Sequence, residues 1–291
     1  MSRAKTGLLK LAAWAARVLP VPFKQALYKL PLVAPLLRRS LNRAAPHGIQ
    51  EIVIAGGVLA GWKAALDLQS EKDYWLGTYE PELQAAAARL IQPGMTVYDV
   101  GANIGYISLL TARLNAPNGR LFAFEALPAN IARLERNIAL NQLQGRVIVQ
   151  HAAVVSQSAP VTFLMHQSGA MGKAQGSAGR EEAYQQSIQV DGLALDDFIF
   201  SRQNPAPGLV KMDIEGGEGQ ALRGMARALK ECPPIFLIEL HGQQAAREVW
   251  QQLSANRYTL CRMRPDYTPI LSLDELDWKA YVVALPPAAP G

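Results

Sequence analysis

Three acidic residues, Asp99, Glu125 and Asp213, each lie at or near the end of an apolar run that is typical of a buried strand. A carboxylate stays in an apolar core only at a free-energy cost, so we expect all three to face a ligand crevice at the carboxyl ends of their strands. Glu125 follows Asp99 at about the spacing at which an acid accepts hydrogen bonds from a ribose diol. The acids therefore predict an adenosine-type ligand.

A turn with two glycines, Gly101-Ala102-Asn103-Ile104-Gly105, joins the first of these strands to a helical pattern. Gly101 allows the backbone to come close to a ligand, and Gly105 allows the helix to pack tightly on the strand. The turn lacks the middle glycine of G-x-G-x-x-G, and the chain has no G-x-x-x-x-G-K-[ST] motif. A dinucleotide site is therefore disfavoured, and an NAD-dependent dehydrogenase is a weak alternative.

Strand and helix patterns alternate along most of the chain, which is typical of a parallel, doubly wound α/β sheet. Strands are predicted at 97–100, 121–125, 147–150, 209–213, 235–239, 258–262 and 280–285. Helices are predicted at 81–91, 128–140 and 196–202, from 218 to about 230, and from His241 to 255.

Two further β patterns lie outside this alternation. Runs around Gly56-Gly57 predict a hairpin within 51–68, and an added pair of strands is predicted at 161–165 and 188–190. The added strands enclose a glycine-rich loop at 166–187, and loops of that length are usually functional or disordered.

The positive charge is concentrated at the N-terminus. Residues 1–50 contain nine Lys and Arg and no Asp or Glu, whereas the remainder carries 20 basic and 24 acidic side chains. This asymmetry argues against a nucleic-acid groove over the main domain. Two cysteines without a C-x-x-C spacing predict a reducing compartment, so we expect a cytoplasmic protein.

Residues 4–19 predict an amphipathic helix, and a second helical segment is predicted over 23–43. One face of the first helix is apolar, and basic residues recur every seven positions on the other. Either the apolar face binds the anionic surface of the inner membrane, or it packs on protein while the charges are solvated. Charges interrupt the segment too often for a membrane span or a signal peptide.

Three stretches of the sequence resemble one enzyme family when they are taken together and in order. They are Tyr74-Trp-Leu-Gly-Thr-Tyr-Glu-Pro81, Val97-Tyr-Asp-Val-Gly-Ala-Asn-Ile-Gly105 and Val210-Lys-Met-Asp-Ile-Glu-Gly-Gly-Glu218. They are similar to motifs of the FkbM-type family of class I S-adenosylmethionine-dependent methyltransferases. The resemblance covers roughly residues 50–285 and does not cover the basic N-terminus.

The resemblance implies a Rossmann-like, seven-stranded methyltransferase sheet with its last strand antiparallel, and S-adenosyl-L-methionine as cofactor. It implies O-methylation of a hydroxyl on a sugar, a glycan or a hydroxylated natural product. Among the residues that match the family's cofactor site, Tyr79 and Glu80 would close the pocket, Asp99 would approach the amino group of the methionine, and Glu125 would hold the ribose. The turn beneath the methionine would be formed by Gly101, Ala102, Asn103 and Gly105. The adenine would be bordered by Leu127, His151 and Ala152. Asp213 and Glu215 would lie at the mouth of the fourth strand, near the methyl group.

Transfer to an alcohol needs in-line alignment and a base that removes the hydroxyl proton. We predict Asp213, Glu215 and His241 as catalytic residues, with Glu218 and Glu239 as further candidates for the base. A charge at a helix N-terminus would also explain Glu218, and helix capping or packing would also explain His241. Asp213, Glu239 and His241 could hold Mg²⁺, but we expect no metal.

We expect a basic helical extension over 1–48, a hairpin and helix over 49–95, and the methyltransferase domain over 96–286. The expected partner is a small-molecule or glycan acceptor, with no nucleic acid and with peripheral membrane contact through residues 1–46. The sequence does not give the oligomeric state. The competing hypothesis is a membrane-surface or scaffold protein with a methyltransferase fold and little or no catalysis.

Overall fold

The computed structural model of the protein describes residues 3–19, 43–166, 171–178, 184–277 and 279–287. The helical segment predicted over 23–43 lies, up to residue 42, outside the described residues. The chain divides into two compact units, residues 1–81 with 139–142, and residues 82–138 with 143–291. The domain boundaries expected from the sequence stay predictions.

The described part of the first unit includes two helices and a hairpin. Its elements are α1 (Arg3–Val18), β1 (Ile49–Val53), β2 (Lys63–Asp67) and α2 (Lys72–Leu76). The two strands pair antiparallel, with Ile49 opposite Asp67. The structure therefore has a helix and a hairpin at the places where the sequence predicts them.

The second unit carries the alternating strands and helices. Its strands are β3 (Val97–Val100), β4 (Leu121–Glu125), β5 (Val147–His151), β6 (Ala153–Val154), β7 (Pro160–His166), β8 (Gly172–Ala174), β9 (Tyr184–Leu193), β10 (Leu209–Met212), β11 (Ile235–His241), β12 (Thr259–Arg262) and β13 (Lys279–Leu285). Its helices are α3 (Pro81–Leu90, entered from the first unit), α4 (Tyr106–Leu114), α5 (Pro128–Leu140), a π-helix (Asp197–Ser201), α6 (Glu218–Arg223), α7 (Ala228–Glu231) and α8 (Gln243–Ala255).

Seven of these strands form the central sheet, in the order β12-β13-β11-β10-β3-β4-β5. The pairings of β3, β4, β5, β10 and β11 are parallel, and β13 runs antiparallel to both β11 and β12. The predicted fold class, a doubly wound seven-stranded sheet with its last strand antiparallel, is confirmed. Strands β3 and β10 are neighbours, so their carboxyl ends meet at one edge.

The core explains why these strands lie at the centre. Every residue of β3, β4 and β10 is buried, as expected of parallel strands covered on both faces. Four aromatic side chains pack against one another in the core, edge to face or tilted, with ring centroids 5.2–5.6 Å apart. They are Tyr98, Phe122, Phe124 and Phe198.

Three local predictions are corrected. The segment expected to be loop at 166–187 contains β8, which pairs with β7 at Phe163–Met165 although Gly-Lys-Ala has no strand pattern. The single helix expected from 218 to about 230 is two helices, and the second begins where the Asp196 carboxylate accepts the amides of Arg227 and Ala228. The fifth strand of the alternation, β11, extends to His241, two residues beyond its predicted end.

Candidate active site

The turn after β3 is held against β4 by its backbone. The amides of Gly101 and Ala102 both donate to the carbonyl of Phe124, at 3.0 and 2.9 Å. Gly101 has φ +79°, and a Cβ there would collide with the carbonyl of Asp213. The close approach that Gly101 permits is therefore to the neighbouring strand end, which joins this turn to the residues after β10.

Gly105 has a different role from the one expected. Its φ is +86°, and a Cβ there would collide with the side chain of Leu134 in α5. The glycine thus makes room for α5 and for a left-handed turn before α4, whereas the sequence suggested close packing of a helix on the strand.

Glu125 is buried at the end of β4, where its carboxylate accepts hydrogen bonds from backbone amides. Oε2 accepts the amide of Asn103 at 2.8 Å, and Oε1 accepts the amides of Ala126 and Leu127 at 3.0 and 2.8 Å. Burial raises the pKa of Glu125, although these bonds and one from Asn130 favour its ionised form. The carboxylate ties the Gly101–Gly105 turn to the loop after β4.

Leu127, His151 and Ala152, the residues expected to border the adenine, lie around Glu125. Leu127 and Ala152 are buried, and the Ala152 amide donates to the Glu125 carbonyl at 3.1 Å. His151 is exposed, with Nε2 3.0 Å from the carbonyl of Ala126. A pocket of about 250 Å³ lies beside it, lined by Pro128 and residues 188–191 among others. The structure therefore brings these three residues together with Glu125.

Asp99 is not exposed to the crevice. It is fully buried and pairs with a lysine that the sequence reasoning missed: Lys211 Nζ lies 3.3 Å from Oδ1. Ser108 Oγ donates to Oδ2 at 2.6 Å, and Lys211 also donates to the carbonyl of Gly101 at 2.9 Å. The pair arises because Lys211 lies directly opposite Asp99 in the register of β10 and β3.

Asp213, Glu215, Glu239 and His241 form a cluster at the ends of β10 and β11. His241 Nε2 lies 3.7 Å from Asp213 Oδ1, 3.8 Å from Glu215 Oε2 and 3.6 Å from Glu239 Oε1. Asp213, Glu215 and His241 are partly exposed, whereas Glu239 is buried. The structure therefore brings together all three predicted catalytic residues.

Glu218 holds the other side of the imidazole. This fully buried carboxylate has Oε1 3.4 Å from His241 Nδ1, and the same oxygen accepts the amides of Ile214 and Gly216. A buried acid on one ring nitrogen orients the ring and stabilises a proton on that nitrogen. Glu218 is thus more than a charge at the start of α6.

The charges of the cluster shift its pKa values. Burial alone lowers the pKa of His241, but the hydrogen bond with Glu218 and the charges of Asp213, Glu218 and Glu215 outweigh it and raise that pKa to about 9. Burial also raises the pKa of Glu215 and of Glu239, and the charge of Asp213 adds to both. His241 is therefore an imidazolium at neutral pH, surrounded by carboxylates.

Asp213, Glu239 and His241 also offer a set of possible metal ligands. One donor atom from each lies within 4.8 Å of the others, and no other such group was found among the described residues. Lys279 Nζ lies 3.4 Å from Glu239 Oε1, and Lys211 Nζ lies 3.9 Å from Asp213 Oδ2. Cationic side chains thus already contact these carboxylates, and the expectation of no metal stays a prediction.

The glycine-rich segment at 166–187 is joined through Ala178 to Gly216, in the third motif. The amide of Ala178 donates to the carbonyl of Gly216 at 2.9 Å, and a Cβ at Gly216 would collide with Ala178. Lys173, in β8, is buried with Nζ 3.3 Å from the carbonyl of Ala178 and 5.2 Å from the ring centroid of Tyr184. Ala178 therefore lies against Gly216, the residue after Glu215.

Tyr79 and Glu80, the other predicted cofactor residues, lie in the first unit. The ring of Tyr79 packs on that of Tyr74, with centroids 4.3 Å apart, and Glu80 has φ +40°. Their role at the cofactor stays a prediction.

Comparison with known proteins adds a family to this geometry. A model of the methyltransferase FkbM domain matches residues 99–260, more than half of the chain. The chain is 26% identical over 199 residues to the hexuronic acid methyltransferase AglP of Haloferax volcanii, covering 67% of this chain and 78% of AglP. It is 30% identical over 185 residues to the 31-O-demethyl-FK506 methyltransferase FkbM of Streptomyces tacrolimicus, covering 54% and 69%.

Among solved structures, the chain is similar to the methyltransferase FkbM from Methylobacillus flagellatus KT, at 19% identity and a TM-score of 0.41. That alignment covers 75% of this chain and 53% of the other, so the chain spans about half the length of that structure. The domain match includes Glu125, the turn after β3 and the cluster at the ends of β10 and β11. The chain belongs to the FkbM methyltransferase family and is a methyltransferase.

Proposed function

We propose that the protein transfers a methyl group from S-adenosylmethionine to a hydroxyl of a sugar, a glycan or a related hydroxylated natural product. The observation that carries this proposal is the contact between two features: the Gly101 turn packs against Asp213, which begins the cluster with Glu215 and His241. The names of two relatives, for a hexuronic acid and for a demethylated FK506, support the class of acceptor.

The residues around Glu125 fit an adenosine group. Oε2 of Glu125 accepts one hydrogen bond, from Asn103, and a carboxylate oxygen has room for a second, from a ribose hydroxyl. Leu127, His151 and Ala152 would border the adenine, beside the pocket at His151. When bound, S-adenosylmethionine supplies an electrophilic methyl group on a sulfonium sulfur.

Gly101, Ala102, Asn103 and Gly105 would lie beneath the methionine part of the cofactor. Asp99 is sealed by Ser108 and Lys211, so we assign it an indirect role. It holds Lys211, and Lys211 in turn holds the carbonyl of Gly101. The buried pair would thus fix the shape of the turn.

Glu215 is our candidate for the base. Its carboxylate is partly exposed and reachable by an acceptor hydroxyl, and its raised pKa makes it a stronger proton acceptor than an ordinary glutamate. His241, already protonated at neutral pH, would orient Glu215 and Asp213 and balance their charge. In this proposal the base is therefore the Glu215 carboxylate, and His241 acts as a cation and not as the base.

The segment at 166–187 would form part of the acceptor site and help to exclude water. Its described part is bonded to Gly216, one residue after the proposed base. This position suits contacts with the acceptor better than contacts with the adenine, because Glu125 and His151 follow other strands.

Calorimetry with S-adenosylhomocysteine tests the cofactor assignment. Wild type should bind, and Glu125→Gln should bind at least about tenfold more weakly because a carboxylate accepts stronger hydrogen bonds than an amide. Glu135→Gln, an exposed glutamate on α5, is the matched control and should bind like wild type. No binding to wild type would overturn the proposal.

The acceptor is tested by methyl transfer from radiolabelled S-adenosylmethionine to a panel of glycosides of uronic acids, neutral glycosides and hydroxylated macrolides. Label stable to base, as expected of an ether, supports O-methylation of a hydroxyl, whereas base-labile label indicates a carboxylate ester and contradicts it. The competing scaffold hypothesis predicts cofactor binding that is weak or absent and no transfer to any acceptor.

A further inference from the structure

Helix α1 leaves three large apolar side chains in solvent. Leu11, Trp14 and Val18 are 59%, 59% and 57% exposed. Their spacing of three and four positions puts them on one face of the helix, as a continuous stripe. Exposing adjacent large apolar groups to water is unfavourable, and such patches mark interaction sites in soluble proteins.

The opposite side of α1 is already packed within the first unit. Ala16 is buried, its carbonyl lies against Gly56, and Arg17 Nε donates to the carbonyl of Ala55 at 3.3 Å. The helix thus packs through a small residue and presents Leu11, Trp14 and Val18 outward. Within this chain, Leu11 and Val18 are therefore not covered by protein.

The sequence segment that contains the stripe carries only positive charge. Residues 1–50 contain nine Lys and Arg and no acidic residue. Arg17 is exposed at the edge of the stripe. An apolar stripe beside an exposed cation, in a segment without acidic residues, matches the interface of an anionic lipid bilayer, where hydrocarbon lies next to negative headgroups.

We propose that α1 binds the surface of an anionic membrane, with Leu11, Trp14 and Val18 inserted at the boundary between headgroups and acyl chains. The helix lies in the plane of the surface, since none of the helices described in the structure is long and apolar enough to cross a bilayer. A nucleic acid would use the cations but not the stripe. A second copy of this chain would cover the stripe but would bring the same positive charge.

Sedimentation of the full-length protein with vesicles tests the proposal. Wild type should bind vesicles of phosphatidylcholine with phosphatidylglycerol, bind less in high salt, and not bind phosphatidylcholine alone. Leu11→Glu with Trp14→Glu should lower the partition coefficient on the order of a hundredfold, because two large apolar side chains leave the interface. Leu271→Glu, at an 81% exposed leucine in the second unit, is the control and should bind like wild type.

Two measurements separate the other outcomes. Trp14→Phe should remove the vesicle-induced blue shift of tryptophan fluorescence, although four other tryptophans remain. Binding of S-adenosylhomocysteine by the double variant should equal that of wild type, which shows that the variant is folded. Vesicle binding that survives the double substitution, or its absence in wild type, overturns the proposal. A wild-type dimer that the double variant converts to monomer favours the second copy.

Discussion

The buried pair of Asp99 and Lys211 and the open cluster around His241 use the same kinds of side chain at neighbouring strand ends. In the pair, both partners are sealed from solvent, and a serine completes the contacts of the acid. In the cluster, Asp213, Glu215 and His241 are each partly exposed, and several acids share one imidazolium. The buried pair can therefore only hold the turn after β3 in place, whereas the exposed charges of the cluster can contact a substrate.

Lys211→Met is the largest disruption of the sealed pair. Removal of one partner leaves the Asp99 carboxylate buried without its counter-charge, which costs about 3–5 kcal/mol of unfolding free energy. Urea denaturation followed by circular dichroism measures this loss. Glu231→Gln, in an exposed ion pair with Arg227, is the control and should leave the unfolding free energy nearly unchanged.

The double variant Lys211→Met with Asp99→Asn sharpens the interpretation. It removes both charges and should recover part of the lost unfolding free energy. If Lys211→Met alone were as stable as wild type, the buried Asp99 carboxylate would not need Lys211 as its counter-charge. The buried pair would then not have the structural role that distinguishes it from the open cluster.

Glu215→Gln tests the open cluster, where the effect should be on rate and not on folding. Loss of a general base is expected to lower kcat by about 10²–10⁴-fold. The Kd of S-adenosylhomocysteine and the unfolding free energy should stay close to wild type. The measurement is single-turnover methyl transfer at saturating acceptor.

A matched substitution distinguishes the base from its neighbours. Glu239→Gln also removes a carboxylate within 4 Å of His241, but Glu239 is more buried and paired with Lys279. If Glu239→Gln lowered kcat as much as Glu215→Gln did, the assignment of the base to Glu215 would be wrong.

The sequence predicts the regular parts of this molecule well and its charge pairs poorly. Strand β4 and helix α5 are predicted at their observed bounds, because an apolar run and a 3.6-residue period are local signals. The partner of Asp99 is not local: Lys211 comes 110 residues after Gly101, whose carbonyl it also contacts, and only the order of strands in the sheet brings it there.

Burial is the other property that the sequence does not give. Asp99 and Asp213 follow similar apolar runs, and both predict a carboxylate facing a ligand. The fold seals one of them beneath α4, through Ser108, and leaves the other at the rim. A lysine inside an apolar strand, as in Val210-Lys211-Met212, is the signal that could have indicated a buried partner.

Glu218→Gln should lower the pKa of His241, while the glutamine oxygen still accepts the amides of Ile214 and Gly216. The pKa of His241 should fall from about 9 towards 6.5, and imidazole chemical shifts in NMR titrations measure it. Because the folded-state pKa is raised, the stability that His241 contributes is complete below about pH 6.5 and is lost as the pH rises through about 9. In Glu218→Gln that loss should move to lower pH. An unchanged pKa would show that Glu218 does not hold the proton.

The smallest expected effect is that of a chelator, since we expect EDTA to leave the rate of methyl transfer unchanged. A cation bound to Asp213, Glu239 and His241 would need the imidazole nitrogen without its proton. With a pKa of about 9, His241 gives up that proton at pH 7 at a cost of about a hundredfold in metal affinity. Loss of activity in EDTA, restored by Mg²⁺ but not by a monovalent salt, would contradict this. The open cluster would then take its positive charge from a metal, and the protonated histidine would be a feature of the metal-free protein alone.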